Sequence, residues 1–420
     1  MVQAYLILVY VLAYIGLFGI SFYVLSLFTY YKKKKIPEFA TDKTVSILIP
    51  AYNEEESIAP TIESALKLDY PKNKLQIVVI DDGSTDNTYK IAKKFESDRH
   101  PKVKVYRKKN GGKSSALNFG IKHSKSEIVF SMDADTFASP DALKRMIAHF
   151  FHERVMSVTP SMGVYKPKSF WARIQQIEYY VSVFIRKSFS TVNAIHITPG
   201  AFSGYRRAFF DKYGGYDEHD ITEDLEIALR IQSYDYVIEN AAKASVHTVA
   251  PNKFKSLLIQ RKRWYTGLMR GFWKYRKLFH PSKGALGVVV LPIAVVTVVM
   301  SLVLAIYLTT KALLELGEEM SNLAAINFEF QNVFELNSFV FEHFFYSFFS
   351  HKAILITLFF VVLIGFYLYF SKKQMNYKDR VGFNFLLFVA FYSFLFTFWW
   401  MVSIVYVIFN REIVWRGELK

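Results

Sequence analysis

The sequence predicts a parallel α/β domain set between membrane-spanning α-helices. Three observations carry that expectation. Four apolar runs, at 4–28, 285–309, 352–370 and 385–409, are each long enough to cross about 30 Å of hydrocarbon. Between the first two, residues 43–252 alternate short β-branched runs with helical patterns, as βα units do. Polar clusters follow three of those runs, where open α/β sheets bind their ligands.

The first apolar run has no basic leading segment and is too long for a signal-peptide core. "YKKKK" (31–35) follows it, which predicts a cytoplasmic end there and an N-terminus outside. The strands come next: "TVSILIP" (44–50), "LQIVVIDD" (75–82) and "EIVFSMDAD" (127–135). Helical patterns separate them at "ESIAPTIESALKL" (56–68) and "DNTYKIAKKFES" (86–97). Residues 169–187 place Phe170, Ile174, Ile177, Val181 and Phe184 at helical spacing with basic flanks, the pattern of a core helix or one lying in the membrane interface. Pro292 lies in the second apolar run, where a membrane helix tolerates it. The basic link 371–380 is expected inside and the glutamate-bearing link 311–337 outside. The alternation then closes as four spans with an external C-terminus, unless the Phe-rich stretch 338–350 is re-entrant. The expected organisation is an N-terminal span (1–31), a cytoplasmic domain (38–252), interfacial helices (253–284) and a C-terminal bundle (285–420) of about three spans.

Composition narrows the function. The 420 residues include no cysteine, which excludes disulfides and thiolate metal sites. A net charge of +16 points to nucleic acid, anionic lipid or a phosphorylated substrate. Membrane segments favour the last two, and no nucleic-acid recognition motif accompanies the charge.

Several motifs can carry chemistry. "DAD" (133–135) ends a strand, and carboxylates at i and i+2 of an extended stretch point the same way. Asp133 and Asp135 either form a turn pair or offer hard oxygen ligands to Mg2+ or Mn2+ on a diphosphate. "DDGSTD" (81–86) is a tight turn, or presents an acid to a ribose or base; "PAYNEEE" (50–56) ends the first strand the same way. "NGGKSSALNFG" (110–120) opens a helix, and its amides and Lys113 suit phosphate, although the spacing is not that of a Walker A loop. "TED" (222–224) is a good helix start, or supplies a carboxylate that accepts a proton.

"QRKRW" (260–264) divides by helical phase. At about 100° per residue, Gln260, Arg263, Trp264 and Gly267 share one face. Arg261 falls within a neighbouring apolar stripe, where its head is expected at the interface. Lys262 is expected to be surface charge near lipid. Arg263 suits a bidentate oxyanion contact.

Taken in order, "PAYNEE", "DDGSTD", "GGKSSALN", "DAD", "PGAFSGYRR" (199–207), "TED" and "QRKRW" resemble the membrane-embedded family 2 glycosyltransferases, which include cellulose, hyaluronan and poly-N-acetylglucosamine synthases. The resemblance covers about residues 43–285. It implies a GT-A catalytic domain, a nucleotide-sugar-binding fold with a mostly parallel sheet, joined to an α-helical transmembrane bundle by interfacial helices. By it, Tyr52, Glu54 and Asp82 hold the uridine, Lys113 meets the diphosphate, and Asp133 and Asp135 bracket a divalent metal. Asp224 is the general base. Gln260, Arg263 and Trp264 close over the diphosphate, while Gly204, Arg206, Glu223 and Trp264 line the acceptor side. The implied reaction is inverting transfer from a UDP-sugar to a growing β-linked polysaccharide at the cytoplasmic face of the cell membrane, with translocation through the spans. The implied partners are the donor, the acceptor and membrane lipid; a homo-oligomer or export partner stays open. Two departures stand out. Val249 in "VHTVAP" replaces an acidic residue carried by many relatives, and "WRG" (415–417) is similar to the tail of non-processive lipid glucosyltransferases of the ceramide type. The alternative reading is therefore transfer of one sugar to a membrane lipid or polyprenyl phosphate.

Overall fold

The computed structural model describes residues 2–33, 36–325, 352–375 and 382–409. The predicted strands appear as β1 (Val45–Ala51), β2 (Leu75–Asp81) and β4 (Ile128–Met132). β1 and β4 are buried along their whole length, which is why they read as unbroken apolar runs rather than alternating ones. β3 (Lys102–Arg107), β5 (Thr136–Ala138), β6 (Val155–Val164), β7 (Phe202–Arg206) and β8 (Val237–Thr248) complete one eight-stranded sheet in the order β3-β2-β1-β4-β7-β6-β8-β5. It is parallel across β3-β2-β1-β4 and turns antiparallel at β7.

Helices cover both faces. On one side α2 (Ile58–Leu66), α3 (Thr88–Lys93) and α5 (Ala142–Ala148) bury Ile58, Ile62, Ala92, Leu143 and Met146 against Ile47, Ile49, Ile77 and Val79. On the other, α4 (Gly112–Lys122), α7 (Arg207–Tyr213) and α8 (Glu223–Ser233) bury Leu117, Phe209, Phe210, Ile227 and Ile231 against Leu48, Val78, Ile80 and Val129. The register pairs Ala51 with Asp81 and Met132 with Phe202. The polar segments after β1, β2 and β4 therefore emerge at the same end of the sheet.

The apolar helices are α1 (Val2–Lys33), α10 (Leu291–Ala325), α11 (Lys352–Met375) and α12 (Gly382–Ile408). Among the described residues, three helices are long and apolar enough to cross a membrane: Tyr10–Leu27, Leu286–Asn322 and Leu358–Met375. The run expected at 385–409 lies in α12, whose apolar stretch is Phe394–Ile408. α10 runs on through Glu315 and Glu318, part of the link expected outside, with Lys311 Nζ 3.2 Å from Glu315. The Phe-rich stretch 338–350 and the "WRG" tail lie outside the described residues.

Two amphipathic helices join the layers. α6 (Phe170–Thr191) packs on β6 and β8 and also on α1, α11 and α12. Ile174, Ile177, Tyr180 and Val183 meet Leu368, Met375 and Phe388, and Phe184 stacks on Tyr367 at 4.0 Å. α9 (Phe254–Lys274) carries "QRKRW" and packs on α8 and α12.

Gly267 explains the close approach of α9 to α8: a Cβ there would stand 2.2 Å from Thr222 Oγ1. Gly267→Ala is therefore expected to lower stability by about 1–3 kcal/mol. Thermal unfolding of the purified variant checks this.

Candidate active site

The loops after β1 and β2 are stitched together. Asn53 takes a positive φ of 53°. Its amide donates to Ser84 Oγ at 3.0 Å, and its side-chain oxygen accepts from the Thr85 amide at 2.9 Å. The Glu54 amide donates to Thr88 Oγ1 at 2.7 Å, and Glu54 accepts from the Ser57 hydroxyl at 2.7 Å. Tyr52 stands in the same segment, partly exposed.

Asp82 receives the start of α4. Its carboxylate accepts from the Gly112 amide at 2.7 Å, the Gly111 amide at 3.2 Å and Lys108 Nζ at 2.7 Å. A helix N-terminus leaves such amides unpartnered and favours an anion beside them. The next residue of that turn, Lys113, points across the site. Its Nζ lies 2.5 Å from Asp133 and 2.7 Å from Glu223. Burial alone would lower the Lys113 pKa, but the two carboxylates outweigh it and hold the ammonium well above its ordinary range. Gly200 lets the chain pass over this pair, since a Cβ there would meet Lys113 Nζ at 2.6 Å and Glu223 Oε1 at 3.0 Å.

Asp224 follows Glu223 at the head of α8. Oδ1 accepts from the Leu225 amide at 2.9 Å and Oδ2 from the Gly200 amide at 3.4 Å; the Asp224 carbonyl accepts from Thr198 Oγ1 at 2.8 Å. The side chain is thus fixed yet remains partly exposed. Burial and the adjacent Glu223 push its pKa up to about 6, against the cations Lys113 and Arg263. Glu223 behaves oppositely: burial would raise its pKa, but Lys113 and Arg263 hold it below the usual range. The face of α9 predicted for Arg263 thus does meet the acids of "TED".

Asp135 accepts from Thr248 Oγ1 at 3.2 Å. Its pKa rises to about 6 through burial and the Asp133 charge. Val249, the departure noted above, donates its amide to the Asp135 carbonyl at 3.2 Å and leaves its side chain exposed. Among the described residues no group of three or more His, Cys, Asp and Glu side chains is placed to hold a metal ion. Asp135, met directly only by a threonine hydroxyl, and Asp133, already paired with Lys113, still fit Mg2+ or Mn2+, which use one or two carboxylates and complete their shell with phosphate and water.

The structure corrects three expectations. Arg206 is remote from the site, because β7 runs antiparallel to β4 and pairs Arg206 with Ile128 at the far end. Its guanidinium binds the carbonyls of Val155, Phe150 and His152 at 2.8, 2.8 and 3.1 Å. Gly204 is buried in mid-sheet, where a Cβ would meet the Phe130 ring at 2.5 Å, so it faces a core ring and not an acceptor. Arg261 and Lys262 are not at a surface. Arg261 is 1 % exposed and Lys262 8 %, with Lys262 Nζ 3.9 Å from the centre of the Tyr406 ring. The apolar stripe of α9 meets α12, so both cations are enclosed by protein. Gln260 and Trp264 are partly buried on the site's side of α9, and Trp264 packs with Met162, Tyr179 and Ala201. The sequence reading omitted Lys108, Thr198, Gly200 and Thr248. "PGAF" was visible as a motif, but its Gly200 was not separable from the β7 residues that follow.

Residues 46–214 match the family model "Glycosyl transferase family 2". Over 235 residues the chain is 34 % identical to the poly-β-1,6-N-acetyl-D-glucosamine synthase of Staphylococcus epidermidis, covering 54 % of this chain and 56 % of that one. It is 31 % identical over 255 residues to the Staphylococcus aureus protein of the same name, covering 59 % and 61 %. The matched part thus spans between half and two thirds of these curated relatives. Among solved structures, the mannosyltransferase PcManGT from Pyrobaculum calidifontis, in complex with GDP-Man and Mn2+, aligns with a TM-score of 0.52 at 23 % identity, covering 73 % of this chain and 92 % of that one. That likeness shows a GT-A fold.

Proposed function

From the premise that residues 46–214 form a family 2 glycosyltransferase domain, we propose that the chain transfers a sugar, with inversion, from a UDP-sugar to a growing β-linked polysaccharide at the cytoplasmic face of the membrane. One observation carries this reading. A fixed, partly exposed Asp224 stands beside a cationic pair, Lys113 and Arg263, drawn from two different elements. A base adjacent to fixed cations is what direct displacement at an anomeric carbon requires.

In this reading Asp224 accepts the proton of the acceptor hydroxyl as that oxygen attacks C1. The C1–oxygen bond to the diphosphate breaks, and the charge that grows there is met by Lys113 and Arg263. Lys113 must partly exchange Asp133 and Glu223 for phosphate, and its carboxylate partners keep it charged for that purpose. Tyr52, Glu54 and Asp82 stand at the strand ends for the nucleoside. Glu223 orients Lys113, and Trp264 offers an acceptor sugar a stacking face. Asp133 and Asp135 would hold Mg2+ or Mn2+, which supplies further positive charge to a leaving diphosphate. Processive extension is supported by the position of the apolar helix α10, which follows α9 after the short segment 275–290, and by the similarity to the staphylococcal synthases.

The experiment is a panel of labelled UDP- and GDP-sugars offered to the purified protein in lipid, with nucleotide release and product size both read. UDP release with long polymer is expected. A single-sugar lipid product would replace the processive reading, and release from GDP-sugars alone would reject the donor.

The base also predicts a pH profile. Asp224 is competent only when deprotonated, so kcat/KM should fall about tenfold per pH unit below pH 6, where the carboxylate regains its proton, and level off above it. A rate flat between pH 5 and 7 would reject Asp224 as the base.

A further inference from the structure

Arg261 is buried where three elements meet. On α9 it lies behind Trp264, with its guanidinium carbon 4.3 Å from the centre of that ring. On α6, Glu178 Oε2 takes its Nη2 at 2.7 Å. On α12, the same carbon stands 5.4 Å from the centre of the Trp399 ring. Trp399 is itself only 1 % exposed. The Tyr392 hydroxyl, also on α12, hydrogen-bonds Glu178. One turn away, Tyr265 stacks on Trp400 at 4.6 Å and 19°.

A buried Arg–Glu pair is weak evidence for stability, because desolvation offsets much of its attraction. Its contacts with two aromatic rings instead give orientation. The guanidinium lies over both the Trp264 and Trp399 indoles, and Trp264 is the ring that the proposed reaction puts at the acceptor end. Among the described contacts, this one links an apolar helix of the bundle to a side chain of the site through a single residue.

We infer that Arg261 is a positioning residue for the acceptor: clamped by Glu178 and backed by Trp399, it holds the Trp264 indole in place, so that the packing of α12 sets how the growing sugar chain is registered against Asp224. This rests on the proposed transfer reaction. In that reaction Lys113 and Arg263 meet the diphosphate and Trp264 meets the acceptor, so acceptor handling and donor binding separate.

The test uses the full-length protein in lipid with Arg261→Lys and Trp399→Phe. The first keeps the charge but loses the planar guanidinium; the second alters only the bundle side. Both variants should bind UDP within about twofold of wild type while acceptor KM rises, or polymer length falls, on the order of tenfold. A purely structural role would instead lower unfolding temperature and UDP affinity together. Either that pattern, or wild-type acceptor KM and polymer length in both variants, overturns the inference. If wild-type protein releases no UDP from any donor, it is the transfer reading that fails, and this is seen before any variant is compared.

Discussion

Asp224→Asn is expected to cut sugar transfer by about 10²–10⁴-fold, the usual worth of a positioned base, while UDP affinity changes by no more than a few-fold. The amide keeps the shape of the carboxylate, and its oxygen can still accept the Leu225 or Gly200 amide that fixes the side chain. What it cannot do is take a proton. Lys113, Glu223 and Arg263 are untouched, so the cationic side of the site persists. Donor-dependent UDP release and calorimetric UDP titration on the same preparation separate the two effects. Unchanged turnover would remove Asp224 from the chemistry. Loss of UDP binding along with turnover would mean that Asp224 supports the fold of the site instead.

Arg263→Ala is expected to cost about 10²–10³-fold in kcat, the scale seen when a preorganised charge-stabilising group is removed. A second signature accompanies that loss. The Arg263 cation opposes the burial that raises the Asp224 pKa. Without it the Asp224 pKa rises further, so the acid limb of the pH profile moves to higher pH. Lys262→Ala should leave that limb in place. Its ammonium faces the Tyr406 ring, so its loss loosens the contact with α12 and leaves the carboxylates of α8 unaffected. Equal rate losses with no shift of the limb would return both residues to a packing role. Rate and pH profiles of the two single variants decide the matter.

The three parallel strands legible in the sequence are those buried on both faces, whose β-branched runs have no competing signal. β3, "KVKVYR", escaped because it is an edge strand in which an exposed Lys102 and a half-buried Lys104 alternate with its valines. β8 escaped because "ENAAKAS" buries small and polar residues, with little β-branched character. The candidate site was legible as a place in the fold wherever a motif directly follows a parallel strand, as with Asp82, Asp133 and Asp135. It failed at Gly204 and Arg206 because strand direction is a long-range property. Once β7 runs antiparallel, each step past Gly200 carries the chain away from the site. Helical phase separated Arg263 from Arg261 and Lys262, but phase does not reveal the neighbour of each face. The stripe assigned to lipid meets α12, and that contact lies more than a hundred residues away in sequence.

The central claim is that the strand ends, the heads of α4 and α8 and the middle of α9 together form the donor site. A structure of the protein in lipid with UDP and Mn2+ tests it most directly. The account predicts diphosphate against Lys113 and Arg263, the metal on Asp135 with Asp133 beside it, and the uracil among Tyr52, Glu54 and Asp82. UDP bound elsewhere, or at this site with the Lys113–Glu223 pair intact and Arg263 turned away, would contradict it.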